Sequence, residues 1–327
     1  MATVLVTGGA GYIGSHACKL LEAAGHVPVV YDNLRTGWED AVQFGPFIKG
    51  DLLDQAALKD VFASTAPDAV MHFAALSNVG ESTTAPELYW RNNVVGSMNL
   101  LDAMLAAKVG LLVFSSTCAT YGMAEEEVLT EVHQQNPINP YGQSKLAMER
   151  MIADYASVHD LRSVTFRYFN VAGADPEAMI GEHHEPETHL VPIVLDAAAG
   201  ARPELTVNGE DYETADGTCI RDYLHVMDLA DAHVRGIEYL LAGGDDLILN
   251  LGTGSGFSVK EVIDAAEAVT GHKVPRRVGP RRVGDPPKLV SGSRLAEETL
   301  GWRLQRSNMQ DIIADAWRWR ATGLYKK

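Results

Sequence analysis

Thr3-Val4-Leu5-Val6-Thr7-Gly8-Gly9-Ala10-Gly11-Tyr12-Ile13-Gly14 is the stretch on which the fold of this chain turns. Thr3–Thr7 is an apolar run without alternation, as expected of a strand buried on both faces of a parallel sheet. The glycines that follow are spaced Gly-x-x-Gly-x-x-Gly. They let the backbone turn sharply and approach a ligand that a Cβ would hold off. A helix then runs from about Gly11 to Ala24, with Gly25 as its stop. Its first turn offers free N–H groups and the positive end of the helix dipole. Strand, glycine turn and helix in this order make a cradle for a dinucleotide pyrophosphate, built by Gly8, Gly11, Tyr12, Ile13 and Gly14. Val27–Tyr31 is a second strand, and Asp32 ends it eighteen residues after Gly14. A carboxylate there accepts hydrogen bonds from a ribose 2′-hydroxyl and repels a 2′-phosphate, which favours NAD over NADP. The plainer reading of Asp32-Asn33 is a solvated turn. Asp51 ends a third strand, where it either reaches the adenine or caps the next helix.

Strand-like runs recur at Pro46–Gly50, Ala69–Phe73, Leu111–Ser115, Ser163–Tyr168 and Leu247–Leu251. Helical patterns lie between most of them, notably Glu87–Ala107 and Tyr141–Val158. This alternation predicts an α/β fold, a Rossmann-like doubly wound parallel sheet. His72-Phe73-Ala74-Ala75 closes one strand, and its small residues leave room for a cofactor. After Asn170 the chain is rich in Gly, Pro, His and acids, which predicts loops around a second, smaller α/β lobe for the substrate. The chain returns to the sheet near Tyr223–Leu251. Helices near Val259–Thr270 and Asn308–Thr322 are assigned to the smaller lobe. The expected division is residues 1–170 plus about 223–253 for NAD, and about 171–222 plus 254–327 for the substrate.

The 327 residues, 46% of them hydrophobic, suffice for one large or two modest domains. A net charge of −16 argues against nucleic acid or anionic membrane as a partner. The three cysteines show neither metal-ligand spacing nor a disulfide framework, so no metal is expected and a reducing compartment is. No leader-like segment precedes the first strand, and no apolar run approaches the ~20 residues of a membrane span. A soluble, cytoplasmic protein is expected.

Val113-Phe114-Ser115-Ser116-Thr117 runs from a strand into hydroxyls. Ligands bind beyond the carboxyl ends of the strands in an open α/β sheet, so Thr117 is placed to meet a substrate oxygen. Capping of a turn is the plainer alternative. In Tyr141-Gly142-Gln143-Ser144-Lys145 the phenol and ammonium are four residues apart, on one helix face. A phenol with its ordinary pKa near ~10 is a poor base. A neighbouring ammonium favours the phenolate and tunes it towards general acid/base work. A half-buried ring beside a solvated lysine has the same spacing. The glycine turn, Asp32 and Thr117 are the context that favours chemistry.

With these segments in view the chain resembles the extended short-chain dehydrogenase/reductases, in their NAD-dependent epimerase/dehydratase branch. The resemblance is carried in order by VTGGAGYIGSH (Val6–His16), YDNL (Tyr31–Leu34), HFAA (His72–Ala75), VGES (Val79–Ser82), SSTCATYG (Ser115–Gly122), NPYGQSK (Asn139–Lys145), RYFNVAGA (Arg167–Ala174), DGTCIRDYLHVMDLADAH (Asp216–His233), NLGTG (Asn250–Gly254) and RRVGDP (Arg281–Pro286). It implies 4-epimerisation of a UDP-hexose, interconverting UDP-glucose and UDP-galactose. In that reading Tyr141 takes the proton of the sugar 4′-hydroxyl, Thr117 holds that oxygen, and Lys145 binds the nicotinamide ribose and lowers the Tyr141 pKa. Phe169 lies by the nicotinamide. Asn33, Leu52, Phe73, Ala74, Ala75, Ser77 and Asn92 join Asp32 and Asp51 around the cofactor. His189, Leu190, Asn170, Thr206, Val207, Asn208, Arg221, Arg282, Asp285 and Leu289 match positions that hold the UDP-sugar. Arginine suits a diphosphate through its rigid fork, although an Arg221–Asp222 surface pair is the plain alternative.

Three positions depart from the family pattern. Ser77 stands where a pyrophosphate-binding lysine can occur, Asn208 where an aromatic residue is frequent, and Leu289 where some members carry a tyrosine that narrows the sugar pocket. A smaller Leu289 would admit an N-acetylhexosamine. UDP-xylose/UDP-arabinose epimerisation stays open, because SSTCATYG and GTCIRDY fit it equally. A 4,6-dehydratase fits less well, since Cys118-Ala119 stands where such enzymes carry an acid pair. A non-catalytic NAD sensor on the same fold is the remote alternative. The resemblance also implies a homodimer, pairing the apolar faces of Glu87–Ala107 and Tyr141–Val158; burial within one chain would explain those faces equally.

Overall fold

The computed structural model describes residues 1–123, 128–282, 285–323 and 325. Seven strands form one parallel sheet: β1 (Thr3–Thr7), β2 (Val27–Asp32), β3 (Phe47–Lys49), β4 (Ala69–His72), β5 (Leu111–Ser115), β6 (Arg162–Arg167) and β11 (Leu247–Asn250). Their order is β11-β6-β5-β4-β1-β2-β3. Val4 and Val6 face one side, with Val30, Met71, Val113 and Phe166, while Leu5 faces the other, with Val29, Val70, Leu112 and Phe114. Both faces are covered, which is why the central strands β1, β4 and β5 read as nearly unbroken apolar runs. Helices α1 (Tyr12–Ala23) and α8 (Val226–Leu241) cover the first face. Helices α2 (Gln55–Thr65), α5 (Gly96–Ala107) and α6 (Pro140–Val158) cover the second. The strand order reverses between β1 and β4, so the loops leaving them part and open a crevice.

All seven expected strands lie in this sheet, but the stretch Tyr223–Leu251 returns to it only through β11. Strand β10 (Tyr223–His225) pairs instead with β7 (Asn170–Ala172), in a separate two-stranded sheet. The expected helix Glu87–Ala107 is present as one continuous helical stretch with a π turn inside it. It follows α3 (Val79–Thr84) as α4 (Pro86–Tyr89), a π-helical turn at Trp90–Val95, and α5.

The remaining strands form two small sheets, β8 (Leu205–Asn208) with β13 (Arg276–Gly279), and β9 (Ile220–Arg221) between β12 (Phe257–Ser258) and β14 (Lys288–Leu289). Helices α7 (Leu190–Ala198), α9 (Val259–Thr270) and α11 (Met309–Arg320) share a second apolar core with β8, built from Val194, Leu195, Val207, Ile263 and Ile312. Helix α10 (Arg294–Leu300) and Trp302 pack on the large sheet, where the Trp302 indole donates to the Asp228 carbonyl at 2.8 Å. That part of segment 254–327 therefore sits apart from the smaller lobe. No helix among the described residues is long and apolar enough to cross a membrane.

Candidate active site

The glycine turn after β1 packs backbone to backbone against the loop after β4. A Cβ on Gly8, whose φ is +76°, would lie 2.6 Å from the Ala74 nitrogen, and one on Gly14 2.2 Å from the Gly8 carbonyl oxygen. Only glycine permits this closeness. The amides of Phe73 and Ala74 both donate to the Thr7 carbonyl, at 2.9 and 3.1 Å. Gly11 is the N-cap of α1, and Tyr12, Ile13 and Gly14 form its first turn, whose amides have no acceptor within the helix.

Asp32 is 8% exposed, so it is not the solvated turn of the plain reading. One carboxylate oxygen accepts from Ala10 N at 3.1 Å and the other from Leu34 N at 2.8 Å. Burial raises its pKa, and the two amide bonds oppose that rise. Asn33 donates to Asp51 at 2.9 Å, which brings those two together beside Asp32. Asp51 is not a helix cap: Asp54 caps α2, accepting from Ala56 and Ala57 N at 3.0 Å. Leu52 turns its side chain into the core, and its carbonyl accepts from Asn99 at 2.9 Å. Ala75 is half-buried after β4, and Ser77 is exposed just before Asn78, the N-cap of α3. Asn92 is half-buried in the π turn. A cradle that any Cβ would fill, free first-turn amides and a buried carboxylate at the second strand end fit a dinucleotide with an unmodified 2′-hydroxyl.

Thr117 follows β5, and Tyr141 and Lys145 lie in α6, which Asn139 caps by accepting from Gly142 N at 2.9 Å. The Thr117 hydroxyl accepts from Ala119 N at 3.1 Å, donates to the Tyr168 carbonyl at 3.5 Å, and is near enough to the Tyr141 phenol to bear on its pKa. Lys145 is 3% exposed; its Nζ donates to the Ser115 carbonyl at 2.8 Å and lies 4.9 Å from the centre of the Phe114 ring. Burial lowers the Lys145 pKa to about 7, with Glu149 one turn further on opposing the shift. Burial raises the Tyr141 pKa to about 12, and the nearby Thr117 hydroxyl opposes that rise. The expectation that Lys145 draws Tyr141 down is thus not met in this geometry. The ammonium is engaged by a carbonyl and a ring face, and burial dominates both groups.

Beyond these hydroxyls the small sheets gather polar groups from distant parts of the chain. Arg221 on β9 donates to Asp285 and, at 2.9 Å, to the Pro286 carbonyl. Its partner is therefore Asp285 and not Asp222, which instead accepts from Thr253 N and Oγ1 and from Ser291 N. The amide oxygen of Asn208, oriented to accept, receives Arg282 at 3.1 and 3.2 Å. Leu289 on β14 is in register with Arg221. Val283 and Gly284 of the RRVGDP stretch lie outside the described residues. Thr206 is half-buried beside Asn208, while Val207 belongs to the core. Asn170 donates to the Asp222 carbonyl at 3.1 Å, and Phe169 packs on Cys118, Tyr121 and Leu129. Leu190 starts α7. His189 points at Glu182 and Glu187.

The sequence profile of the NAD dependent epimerase/dehydratase family matches residues 4–252. The chain belongs to that family. A UDP-glucose 4-epimerase of Rhizobium leguminosarum bv. trifolii is 52% identical to it, over 98% of this chain and 97% of the relative. A solved UDP-glucose 4-epimerase from Brucella ovis, in complex with NAD, is 51% identical and superposes with a TM-score of 0.96, covering 97% of this chain and 98% of that one. The UDP-Glc/GlcNAc 4-epimerase of Campylobacter jejuni is 37% identical, with a TM-score of 0.86 over 98% of this chain and all of that one (100%).

Several polar residues of this epimerase-family site escaped the sequence reading. Glu149, four residues after Lys145, accepts from Ser116, from Gln135 at 3.0 Å and from Arg167 at 2.6 Å. Arg167 also donates to the Tyr121 phenol at 2.9 Å. Asn93, in the π turn, donates to the Leu76 carbonyl and the Ser144 hydroxyl, each at 3.0 Å, while its oxygen accepts from Leu76 N at 2.8 Å. It ties the loop after β4 to the turn of α6 that carries Tyr141. The i, i+4 spacing of Lys145 and Glu149 was a usable signal; Asn93 had none beyond its neighbour Asn92.

Proposed function

We propose that this protein is a UDP-sugar 4-epimerase that interconverts UDP-glucose and UDP-galactose and keeps NAD as a bound, recycled group. The observation that carries the reading is the Thr117–Tyr141 hydroxyl pair with buried Lys145, at the carboxyl end of the sheet beside a glycine cradle. NAD, when bound, supplies the hydride acceptor and donor for C4′. Gly8, Gly11 and the first-turn amides of Tyr12 and Ile13 would hold its pyrophosphate, and Asp32 its adenosine ribose.

Tyr141 removes the proton of the 4′-hydroxyl and later returns it, while Thr117 holds that oxygen and the phenol in line. A phenol raised by burial is a poor base on its own, and Lys145, poised near neutrality one turn along the same helix, is the titrating group placed to exchange charge with it. Arg221 and Arg282 offer planar forks to the diphosphate, with Asp285 and Asn208 orienting them. The large sheet, 1–170 with about 223–253, is the nucleotide domain, and most of the remainder is the sugar-nucleotide lobe.

The reading includes a homodimer and a cytoplasmic setting. Trp90 is 41% exposed and lines a groove on α6 with Leu146, Met151 and Tyr155, which a second copy would cover. Three free cysteines suit a reducing compartment. The discriminating experiment is turnover of UDP-glucose, UDP-xylose and UDP-N-acetylglucosamine without added NAD. Epimerisation of UDP-glucose supports the reading, exclusive turnover of UDP-xylose favours the pentose alternative, and no turnover of any of the three refutes it.

A further inference from the structure

The loop leading into α7 carries Glu182, His184, Glu187 and His189, spaced Glu-x-His-x-x-Glu-x-His. One ligand atom from each lies within 4.8 Å of all the others. His184 Nδ1 is 3.4 Å from Glu182 Oε1 and 3.6 Å from Glu187 Oε2. His189 Nδ1 is 2.9 Å from Glu182 Oε1 and 3.0 Å from Glu187 Oε1. Each carboxylate therefore faces both imidazoles across one small space. A tetrahedral ion with arms of about 2.0–2.1 Å has ligand-to-ligand edges of about 3.3–3.4 Å. The four separations bracket that edge.

Two imidazolium–carboxylate pairs are the plain alternative. They account for His189, but they leave His184 Nδ1 buried between two carboxylates without the geometry of a hydrogen bond to either. An ion at the common centre gives that nitrogen a partner. The frame around the cluster is already braced. The backbone amides of Thr188 and His189 donate to Glu187 Oε1 at 2.7 and 2.8 Å, fixing that carboxylate. The indole of Trp38 donates to the His183 carbonyl at 2.8 Å, and the His183 ring stacks on Trp38. Outer bonds of this kind orient metal ligands.

We propose that Glu182, His184, Glu187 and His189 bind a zinc ion, which closes the loop in front of α7. Two nitrogen and two oxygen donors in a tetrahedral arrangement are a zinc-type set. The ion is structural: it touches neither Tyr141 nor Thr117, and it anchors His189, the residue just before Leu190. The proposal stands independently of the epimerase reading, and it revises the expectation of no metal, which rested on cysteine spacing alone.

The test uses untagged full-length protein, treated with chelator and titrated first with Co²⁺ and then with Zn²⁺. The expected result is one cobalt per chain with the intense visible bands of a tetrahedral centre, bleached by one equivalent of zinc, together with a higher melting temperature. In the His184→Gln/His189→Gln variant cobalt affinity falls by more than about 100-fold, beyond the ~10–100-fold typical of losing an outer partner. Absence of a stoichiometric tetrahedral spectrum in the parent protein overturns the proposal, whether or not the variant folds. So does unchanged cobalt binding by a folded variant.

Discussion

Replacing Arg167 by methionine removes a buried cation and leaves its carboxylate behind. Both side chains of the Arg167–Glu149 pair are 4% exposed. Three contacts join them, from Nε at 3.0 and 3.2 Å and from Nη2 at 2.6 Å. Without the guanidinium, Glu149 keeps only the Ser116 hydroxyl and the Gln135 amide. A stranded buried charge of this kind costs about 3–5 kcal/mol, whereas replacing both partners with apolar groups is often near neutral. Arg167→Met should therefore cost about 3–5 kcal/mol. Adding Glu149→Leu should recover part of it, which requires a coupling in the double-mutant cycle larger than the cost of Glu149→Leu alone. Urea unfolding followed by tryptophan fluorescence, at equal slopes, reads both quantities. The pair also holds Ser116, the neighbour of Thr117, one helical turn beyond Lys145. Misplacement there should lower kcat by roughly 10–100-fold. A single-variant cost under about 1 kcal/mol, or a double variant that costs the sum of the singles, refutes the reasoning.

Other outcomes follow from the same geometry. Burial holds His233 near pKa 4, against 6.5 in the unfolded chain, so the unfolded state binds more protons between these values and stability falls as pH drops through that window. His233→Leu should flatten the loss of unfolding free energy between pH 6.5 and 4 by about 3 kcal/mol, and an unchanged slope counts against a neutral buried imidazole. Gly14→Ala forces the glycine turn apart and should weaken NAD binding at least about 10-fold with the circular dichroism unchanged, because the new Cβ meets the Gly8 carbonyl oxygen. Trp90→Glu should convert a dimer to monomers in light scattering; a parent protein that is already monomeric contradicts the proposed interface.

The large sheet was legible because its central strands β1, β4 and β5 are nearly unbroken apolar runs, buried on both faces, each followed by a turn and a helical pattern. Tyr223–His225 misled because it has the same apolar character while pairing with Asn170–Ala172, a choice made by tertiary geometry. Local patterning announced Gly8–Gly14, Asp32, Thr117, Tyr141 and Lys145, each tied to a strand end or a helix period. Pairs formed across long stretches were not readable: Arg221 finds Asp285 rather than its neighbour Asp222, and Asn208 finds Arg282. The pKa of Tyr141 was misjudged for a related reason. Spacing places Lys145 on the correct face, but it does not reveal that the Ser115 carbonyl and the Phe114 ring engage the ammonium.

The central claim is that Tyr141 moves the proton of the sugar hydroxyl beside a separately held cofactor. Tyr141→Phe tests it most directly, measured as UDP-glucose turnover alongside the NAD retained per chain. The account predicts undiminished NAD with turnover reduced about 10²–10⁴-fold, the usual worth of a positioned acid/base group. Turnover within a few-fold of the parent protein, at equal NAD content, contradicts it.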